Sequence, residues 1–198
     1  MFAVLWALSV CAAGGEPPPP FGEREAAPAD ARAGVIEMNN GRVIVGPVFL
    51  RGNPLMKIFD RDRKKYFDLR LGEIEKIEVE VLREWIEQQW RWKEAGKDEK
   101  VYFGPAYPAR EYLTTFVLTN GTRLKGDYSG PIYVVEGGKA VRYILHKRDK
   151  GPEGLKMENL FYIKLISFNE KDIEKAKGRA ATQPASKPAK AEEAPGEE

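Results

Sequence analysis

The chain has 198 residues, 42% hydrophobic and 31% charged, with a formal net charge of +2. The hydrophobic share is enough for a packed core and excludes wholesale disorder, and so small a net charge does not make nucleic acid the default partner. The single Cys and single His exclude a disulfide framework and a Cys/His zinc site, and they disfavour a Cys–His nucleophile pair.

The first 15 residues, MFAVLWALSVCAAGG, predict a signal peptide. An apolar stretch runs to Val10 and small residues follow, as at a signal-peptidase site, although no Lys or Arg precedes the stretch. The alternative is a buried N-terminal strand or helix. Beyond this segment no apolar run approaches the roughly 18 residues of a membrane span, which excludes a polytopic membrane protein.

Cys11 has two interpretations. Leu8-Ser9-Val10-Cys11 resembles the lipidation box of bacterial lipoproteins, in which the Cys carries a lipid anchor, but Val10 stands where a small residue is usual. Otherwise Cys11 is removed with the signal peptide. The mature chain then has no thiol, which is compatible with an oxidising compartment.

Two low-complexity flanks surround the central part of the chain. Residues 16–33, EPPPPFGEREAAPADARA, predict an extended Pro-rich linker, which acts as a stiff spacer or as a ligand for an aromatic groove. Residues 170–198 are rich in Ala, Pro, Lys and Glu and contain no aromatic residue. They predict a disordered tail, because such a composition buries too little surface to offset its ordering entropy.

The central residues 34–169 carry 24 basic and 19 acidic side chains, a surplus too small to identify a partner. Asn40-Gly41 and Asn120-Gly121, 80 residues apart, are each preceded by an apolar segment and followed by a short predicted strand and a further glycine. Asn-Gly between apolar runs is a strong hairpin signal, because both central residues of a type I′ turn need positive φ. Each pair therefore predicts a β-hairpin.

A second pair of matched blocks follows in the same order. Leu69–Val79 (LRLGEIEKIEV) aligns with Leu155–Leu165 (LKMENLFYIKL) at an offset of 86. The six extra residues of the second copy fit best in the charged, glycine-rich segment 147–154. Two matched blocks in one order predict an internal repeat.

Each copy has the pattern of five short strands, with one tight turn before the last. In the first copy we expect strands at 34–39, 42–50, 55–60, 65–70 and 76–82. In the second we expect them at 112–118, 123–128, 132–136, 139–147 and 161–168. Five short strands hide their edges best by curling into a small barrel.

This pattern resembles the SH3-like barrel, since both matched blocks look like that fold's turn followed by its final strand. The two Asn-Gly-x-x-x-x-Gly blocks are also similar to Sm-type barrels. The resemblance implies a mainly β protein with two tandem five-stranded SH3-like barrels, at 34–82 and 111–169, that bind or scaffold; with the predicted signal peptide, it suggests a secreted bacterial protein. No functional residue of those families carries over.

The connector 83–110 between the copies is rich in aromatic residues. Its sequence favours a short helix or an extension of the preceding strand, followed by a hairpin turning at residues 95–98. The candidate binding residues are Trp85, Trp90, Trp92, Tyr102, Tyr107 and Arg110. Either these rings form an exposed platform that stacks sugars, bases or prolines, or they fill the seam between the two barrels.

Catalytic chemistry is not indicated. His146 has no second His near it, the acidic residues at 73–80 alternate with apolar ones as on a solvated strand, and no serine has a base beside it. We therefore expect a non-enzymatic binding or scaffold protein of the periplasm or cell envelope, without cofactor or metal. Its expected partner is a protein or an envelope component. The alternative is an Sm-like nucleic-acid binder, which Arg123 and Lys125 beside one Asn-Gly turn favour locally.

Overall fold

The computed structural model describes residues 27–180. They are mainly β, as the sequence predicts, and each of the ten predicted strands is present. Two one-turn 3₁₀ helices, Leu71–Glu73 and Met157–Asn159, precede β5 and β11. The other elements are β1 Arg32–Met38, β2 Val43–Phe49, β3 Leu55–Asp60, β4 Lys65–Arg70, β5 Ile74–Trp92, β6 Lys100–Leu118, β7 Arg123–Asp127, β8 Gly130–Glu136, β9 Lys139–Leu145, β10 Arg148–Lys150, β11 Ile163–Ser167 and α1 Glu170–Ala180.

The strands form one open antiparallel sheet rather than the two separate barrels that the sequence suggests. Its order is β4-β3-β7-β6-β5-β11-β1-β2-β8-β9, and β10 pairs separately with β6. The difference arises at the third strand of each half. β3 pairs with β7 of the second half, and β8 pairs with β2 of the first half, so each half gives its middle hairpin to the other.

Two glycines lie where the halves exchange hairpins. A Cβ on Gly46 would come within 2.3 Å of the carbonyl oxygen of Val135, and one on Gly126 within 2.7 Å of that of Phe59. Any side chain would push the neighbouring backbone away. The second glycine of each Asn-Gly-x-x-x-x-Gly block therefore permits close strand approach. The hairpins turn at Gly41 and Gly121, which have positive φ, but Asn40 and Asn120 do not, so the prediction of type I′ turns is wrong.

The strand order is symmetric about the β5–β11 pair. Each strand of the first half has a counterpart in the second half: β1 matches β6, β2 matches β7, β3 matches β8, β4 matches β9, and β5 matches β11. When every strand is replaced by its counterpart, the result is the same strand order in the reverse direction. The two 3₁₀ helices occupy equivalent places, each directly before one strand of the central pair. The two edges of the sheet, β4 and β9, are thus also equivalent.

One hydrophobic core draws on both halves. Ile36, Ile58, Ile77, Phe116 and Ile132 are fully buried in a single cluster. Among the described residues the only helical contribution to this cluster is Leu71 of the first 3₁₀ helix, and no α-helix covers it, so the strands themselves must curve around it. The halves share their core, and neither encloses one of its own.

The single α-helix of the described region covers a smaller apolar patch. Ile173 and Ala176 of α1 pack on Val35 and Val43 of the sheet, and Ser167 donates a hydrogen bond to Asp172 at 2.7 Å. The prediction of disorder from residue 170 onwards is therefore wrong for 170–180. This 11-residue helix is too short and too charged to cross a bilayer.

Several predictions concern residues outside the described range. These are the signal peptide at 1–15, the lipid anchor at Cys11, most of the linker, and the tail beyond residue 180. The last two residues of the predicted linker, 32 and 33, already belong to the sheet, because β1 begins at Arg32 and not at residue 34.

The longest elements are β5 and β6, which pair along their whole length, from Ile74 with Leu118 to Trp92 with Lys100. Neighbouring strands support only the lower part of this hairpin: β11 pairs with β5 as far as Glu78, and β10 pairs with β6 from Ala109. The upper part, residues 86–108, is a two-stranded ribbon beyond the sheet. The connector is thus a strand extension and a hairpin, and the helical alternative is wrong.

Candidate functional site

The ribbon places three exposed aromatic side chains of the connector, Trp90, Trp92 and Tyr102, on one face. Trp90 lies directly opposite Tyr102, and Trp92 directly opposite Lys100, so these four side chains share one side of the two strands. β-Bulges after Val81 and Gln88 change the alternation along β5. Sequence periodicity alone could not have given this arrangement.

These aromatic rings are open to solvent and in contact with a cation. The exposed fractions of Trp90, Trp92 and Tyr102 are 39%, 49% and 60%. Trp90 and Trp92 pack edge to face with their ring centroids 5.0 Å apart. The Lys100 ammonium lies 4.0 Å from the centroid of Trp90 and 5.5 Å from that of Trp92, within cation–π range.

Trp85, nearer the sheet, is half-buried between two guanidinium groups. Arg83 lies 4.5 Å and Arg148 4.8 Å from its ring centroid. Its indole N–H donates to Glu87 at 3.4 Å, and the same carboxylate pairs with Arg148 at 2.6 Å. Trp85 is thus held by internal contacts at the lower end of the exposed aromatic row.

Between these two groups lies an open groove of about 810 Å³. Aromatic rings, amides and charges of both signs line it. Its residues are Arg83, Trp85, Ile86, Glu87, Gln88, Trp90, Lys100, Tyr102, Glu111, Lys147 and Arg148. The groove can offer a ligand stacking surfaces, hydrogen-bond donors and acceptors, and a positive charge at each end.

Tyr107 and Arg110 are buried at the base of the ribbon. Arg110 bonds Glu84 at 2.7 Å, donates to the carbonyl of Leu160 at 2.9 Å and lies 5.0 Å from the ring centroid of Tyr162. The Tyr107 hydroxyl accepts a hydrogen bond from Lys150 at 3.2 Å. These two residues anchor the ribbon to the segment 148–162. Because they are buried, they are not accessible for direct contact with a ligand.

Lys147 enters the groove from the sheet side, where Asp127 holds it. Asp127 pairs with Lys147 at 2.9 Å and with Arg61 at 2.6 Å. Burial alone would raise the pKa of Asp127, but hydrogen bonds from Arg61 and Lys147 outweigh that effect and lower the pKa below its ordinary value. This side of the groove is thus fixed to the strand junction between β3 and β7.

The hypothesis that the tryptophans fill a seam is wrong for Trp90 and Trp92, which project with the ribbon into solvent. Of the candidate residues, the structure brings Trp90, Trp92 and Tyr102 together, places Trp85 beside them, and buries Tyr107 and Arg110. Sequence analysis missed Lys100, Lys147 and Arg148. The last two lie in the extra segment of the second copy, and that insertion was the signal that could have found them.

Within residues 27–180 no three His, Cys, Asp or Glu side chains come together as a metal site would require. Comparison with protein-family models, with curated proteins and with solved structures finds no match to this chain. Its function must therefore be inferred from the geometry of the ribbon and the groove.

Proposed function

We propose that this chain is a non-enzymatic binding or scaffold protein of the cell envelope, and that the ribbon is its ligand-contacting element. The observation that carries the proposal is the group of exposed rings on a projecting hairpin. Large aromatic side chains usually bury 150–250 Å² each. Exposed together, they are typical of interaction sites.

The placement of the rings supports a binding role over a packing role. A two-stranded hairpin gains little stability by itself in water, and the fully buried core lies elsewhere in the sheet. Trp90, Trp92 and Tyr102 therefore add little to the global fold. A role in recognition accounts for their presence.

We further propose that the sheet arose from two SH3-like units by internal duplication with exchange of their middle hairpins. The symmetric strand order and the matched close-approach glycines support this proposal. Placement in the envelope rests on the N-terminal sequence, and the absence of an enzyme activity rests on the lack of a nucleophile–base pair in the sequence.

A nucleic-acid role is the second candidate, because Arg83 and Lys100 lie beside stacking rings, as in single-strand binders. Arg123, which the sequence singled out for this role, is paired with Glu78 at 2.6 Å. Steep weakening of oligonucleotide binding with rising salt would favour this alternative.

Site-specific photo-crosslinking in cells tests the main proposal. A photoreactive residue replaces Tyr102 on the ribbon or, as a control, Tyr66, which has a similar exposed fraction of 63% but lies on the edge strand β4. We expect discrete crosslinked products in the envelope fraction from position 102 and none from position 66. Equal labelling at both positions, or a full-length protein that stays in the cytosol, would contradict the proposal.

A further inference from the structure

The outer edge of β5 has no strand beside it along the ribbon. β11 stops pairing with β5 at Glu78, and within residues 27–180 no other strand pairs with this edge beside residues 86–92. The unpaired N–H and C=O groups of a strand edge form a template for another strand. The backbone groups of β5 that point away from β6 are therefore open to further pairing.

Four residues of this edge direct their backbone groups outward. The carbonyl of Pro108 accepts a hydrogen bond from the segment after β10, so Pro108 and Ile86, which lies directly opposite, both point away from the space between β5 and β6. At the tip, Lys93 donates to Glu99 across the ribbon, so Lys93 points towards β6 and the preceding Trp92 points outward. Alternation from both ends gives the same set, which is Ile86, Gln88, Trp90 and Trp92.

The outer edge of β6, in contrast, is closed near the base of the ribbon. Gly151 and Gly154 donate hydrogen bonds to the carbonyls of Pro108 and Ala106, at 2.8 and 2.9 Å, and Pro108 has no N–H to offer. β5 contains no proline or glycine from end to end, although proline is a usual means of blocking a strand edge. The edge of β5 is thus the one that is open along the whole ribbon.

A second copy of the same edge fits it in one register. In an antiparallel pair of identical strands related by a twofold axis, only an axis at Gln89 pairs the four outward residues with one another, Ile86 with Trp92 and Gln88 with Trp90. Each of the four has one N–H and one C=O, and all eight groups of each copy are then hydrogen-bonded. The extra residues of the bulge after Gln88 belong to β6, so β5 runs through this midpoint without an insertion.

The side chains match in the same register. Ile86 and Trp92, 61% and 49% exposed, lie opposite each other, and β-branched–aromatic pairs across strands are stabilising. Arg91, which forms no ion pair with the described residues, lies opposite Glu87. The contacts of Glu87 within the chain all use its Oε2 atom, which leaves Oε1 to accept a hydrogen bond from that arginine. The twofold axis repeats both pairs.

We propose that the chain forms a dimer through the outer edge of β5, with the two ribbons joined in a four-stranded sheet of order β6-β5-β5-β6. The backbone ladder holds the copies together, and the Ile86–Trp92 and Arg91–Glu87 pairs fix the register. A two-stranded ribbon gains little stability by itself, and the dimer gives each ribbon the neighbouring strand that it lacks. The inference goes beyond the proposed function, because it uses the edge of the ribbon and a second copy instead of a ligand.

Sedimentation equilibrium of the full chain tests whether the dimer exists. Two paired strands are a small interface, so we expect a reversible dimer with a dissociation constant of roughly 10–100 μM. Arg91→Glu places two carboxylates opposite each other and should weaken dimerisation by at least about tenfold. Arg142→Glu, which changes an exposed arginine of the edge strand β9, is the matched control and should dimerise as the wild type does.

Cysteine crosslinking tests the register, in a chain whose only cysteine has been removed by Cys11→Ser and with diamide as the oxidant. Gln89→Cys places two thiols opposite each other at the axis, with Cα atoms about 4.5 Å apart, within the range of a disulfide. Arg91→Cys, at an equally exposed position of the same strand, places them roughly 13 Å apart along the strand. We expect disulfide-linked dimers from position 89 and none from position 91.

Two results would overturn the inference. One is a chain that stays monomeric at roughly 500 μM, well above the expected dissociation constant. The other is a dimer in which position 91 crosslinks as well as position 89 or better. Photo-crosslinking at position 102 still reports on other partners of the ribbon, because Tyr102 lies on β6, outside the paired edge. The dimer can thus fail while the proposed function stands.

Discussion

The lower and upper parts of the β5–β6 hairpin differ in what their apolar side chains contact. In the lower part, Ile77 and Phe116 are fully buried in the shared core. In the upper part, Ile86, Trp90 and Phe103 are exposed, although the same two strands continue without a break. The difference shows that strand formation and core formation are separable here: hydrogen bonds continue the ladder where the core has ended, and the remaining apolar side chains stay exposed.

The largest expected effect comes from emptying a core position of β6. Phe116→Ala should lower the free energy of unfolding by about 3–5 kcal/mol, the usual range for a buried aromatic residue. The control is Phe103→Ala on the same strand, where the side chain is 44% exposed and the expected loss is below about 1 kcal/mol. Urea denaturation of both variants measures the difference. Similar losses would mean that the ribbon belongs to the cooperative core.

A smaller effect is expected at the strand junction. In Gly46→Ala the new Cβ would clash with the carbonyl of Val135, and we expect a loss of about 1–3 kcal/mol from the forced backbone shift. Gly72→Ala is the control, because a Cβ there meets nothing within 4 Å, and its stability should stay within about 0.5 kcal/mol of wild type. A tolerated Gly46→Ala would contradict close approach of β2 and β8.

The pH dependence of protein stability tests the ion pairs of Asp127, which fix one side of the groove to the sheet. Because the pKa of Asp127 is lowered in the folded protein, its ion pairs add stability above the carboxyl's ordinary pKa, and this stability is lost as the pH falls through the folded-state value. Asp127→Asn should therefore cost about 1–2 kcal/mol at neutral pH and progressively less on acidification. Thermal melts of both proteins across the acid range check this, and a gap that widens towards low pH would be the wrong sign.

Much of the sheet could be predicted from the sequence, because alternation and Asn-Gly turns are local signals. All ten expected strands exist, and the hairpins turn where predicted, with positive φ at Gly41 and Gly121 but not at Asn40 and Asn120. The pairing of β3 with β7 and of β8 with β2 could not be predicted. Each middle hairpin would bury the same apolar face whether it paired with its own half or with the other half. The choice of partner strand depends on the close backbone contacts at Gly46 and Gly126, which are not a local signal.

The candidate site was predictable in composition but not in geometry. The aromatic richness of the connector identified Trp90, Trp92 and Tyr102. Their common exposed face depends on two β-bulges and on the point where β10 and β11 stop pairing. Arg110 looked like a ligand-binding cation, but its burial against Glu84 and Leu160 depends on the fold of a segment 50 residues later in the chain.

The most direct test of the account is the thermal midpoint of the triple variant Trp90→Ala/Trp92→Ala/Tyr102→Ala. Removing three large rings from a packed core would unfold a domain of ordinary stability. If the rings serve recognition on a ribbon that opens independently of the core, the midpoint should stay within about 2–4 °C of wild type. A fall as large as that of Phe116→Ala would contradict the account, since it would show that these rings hold the fold together.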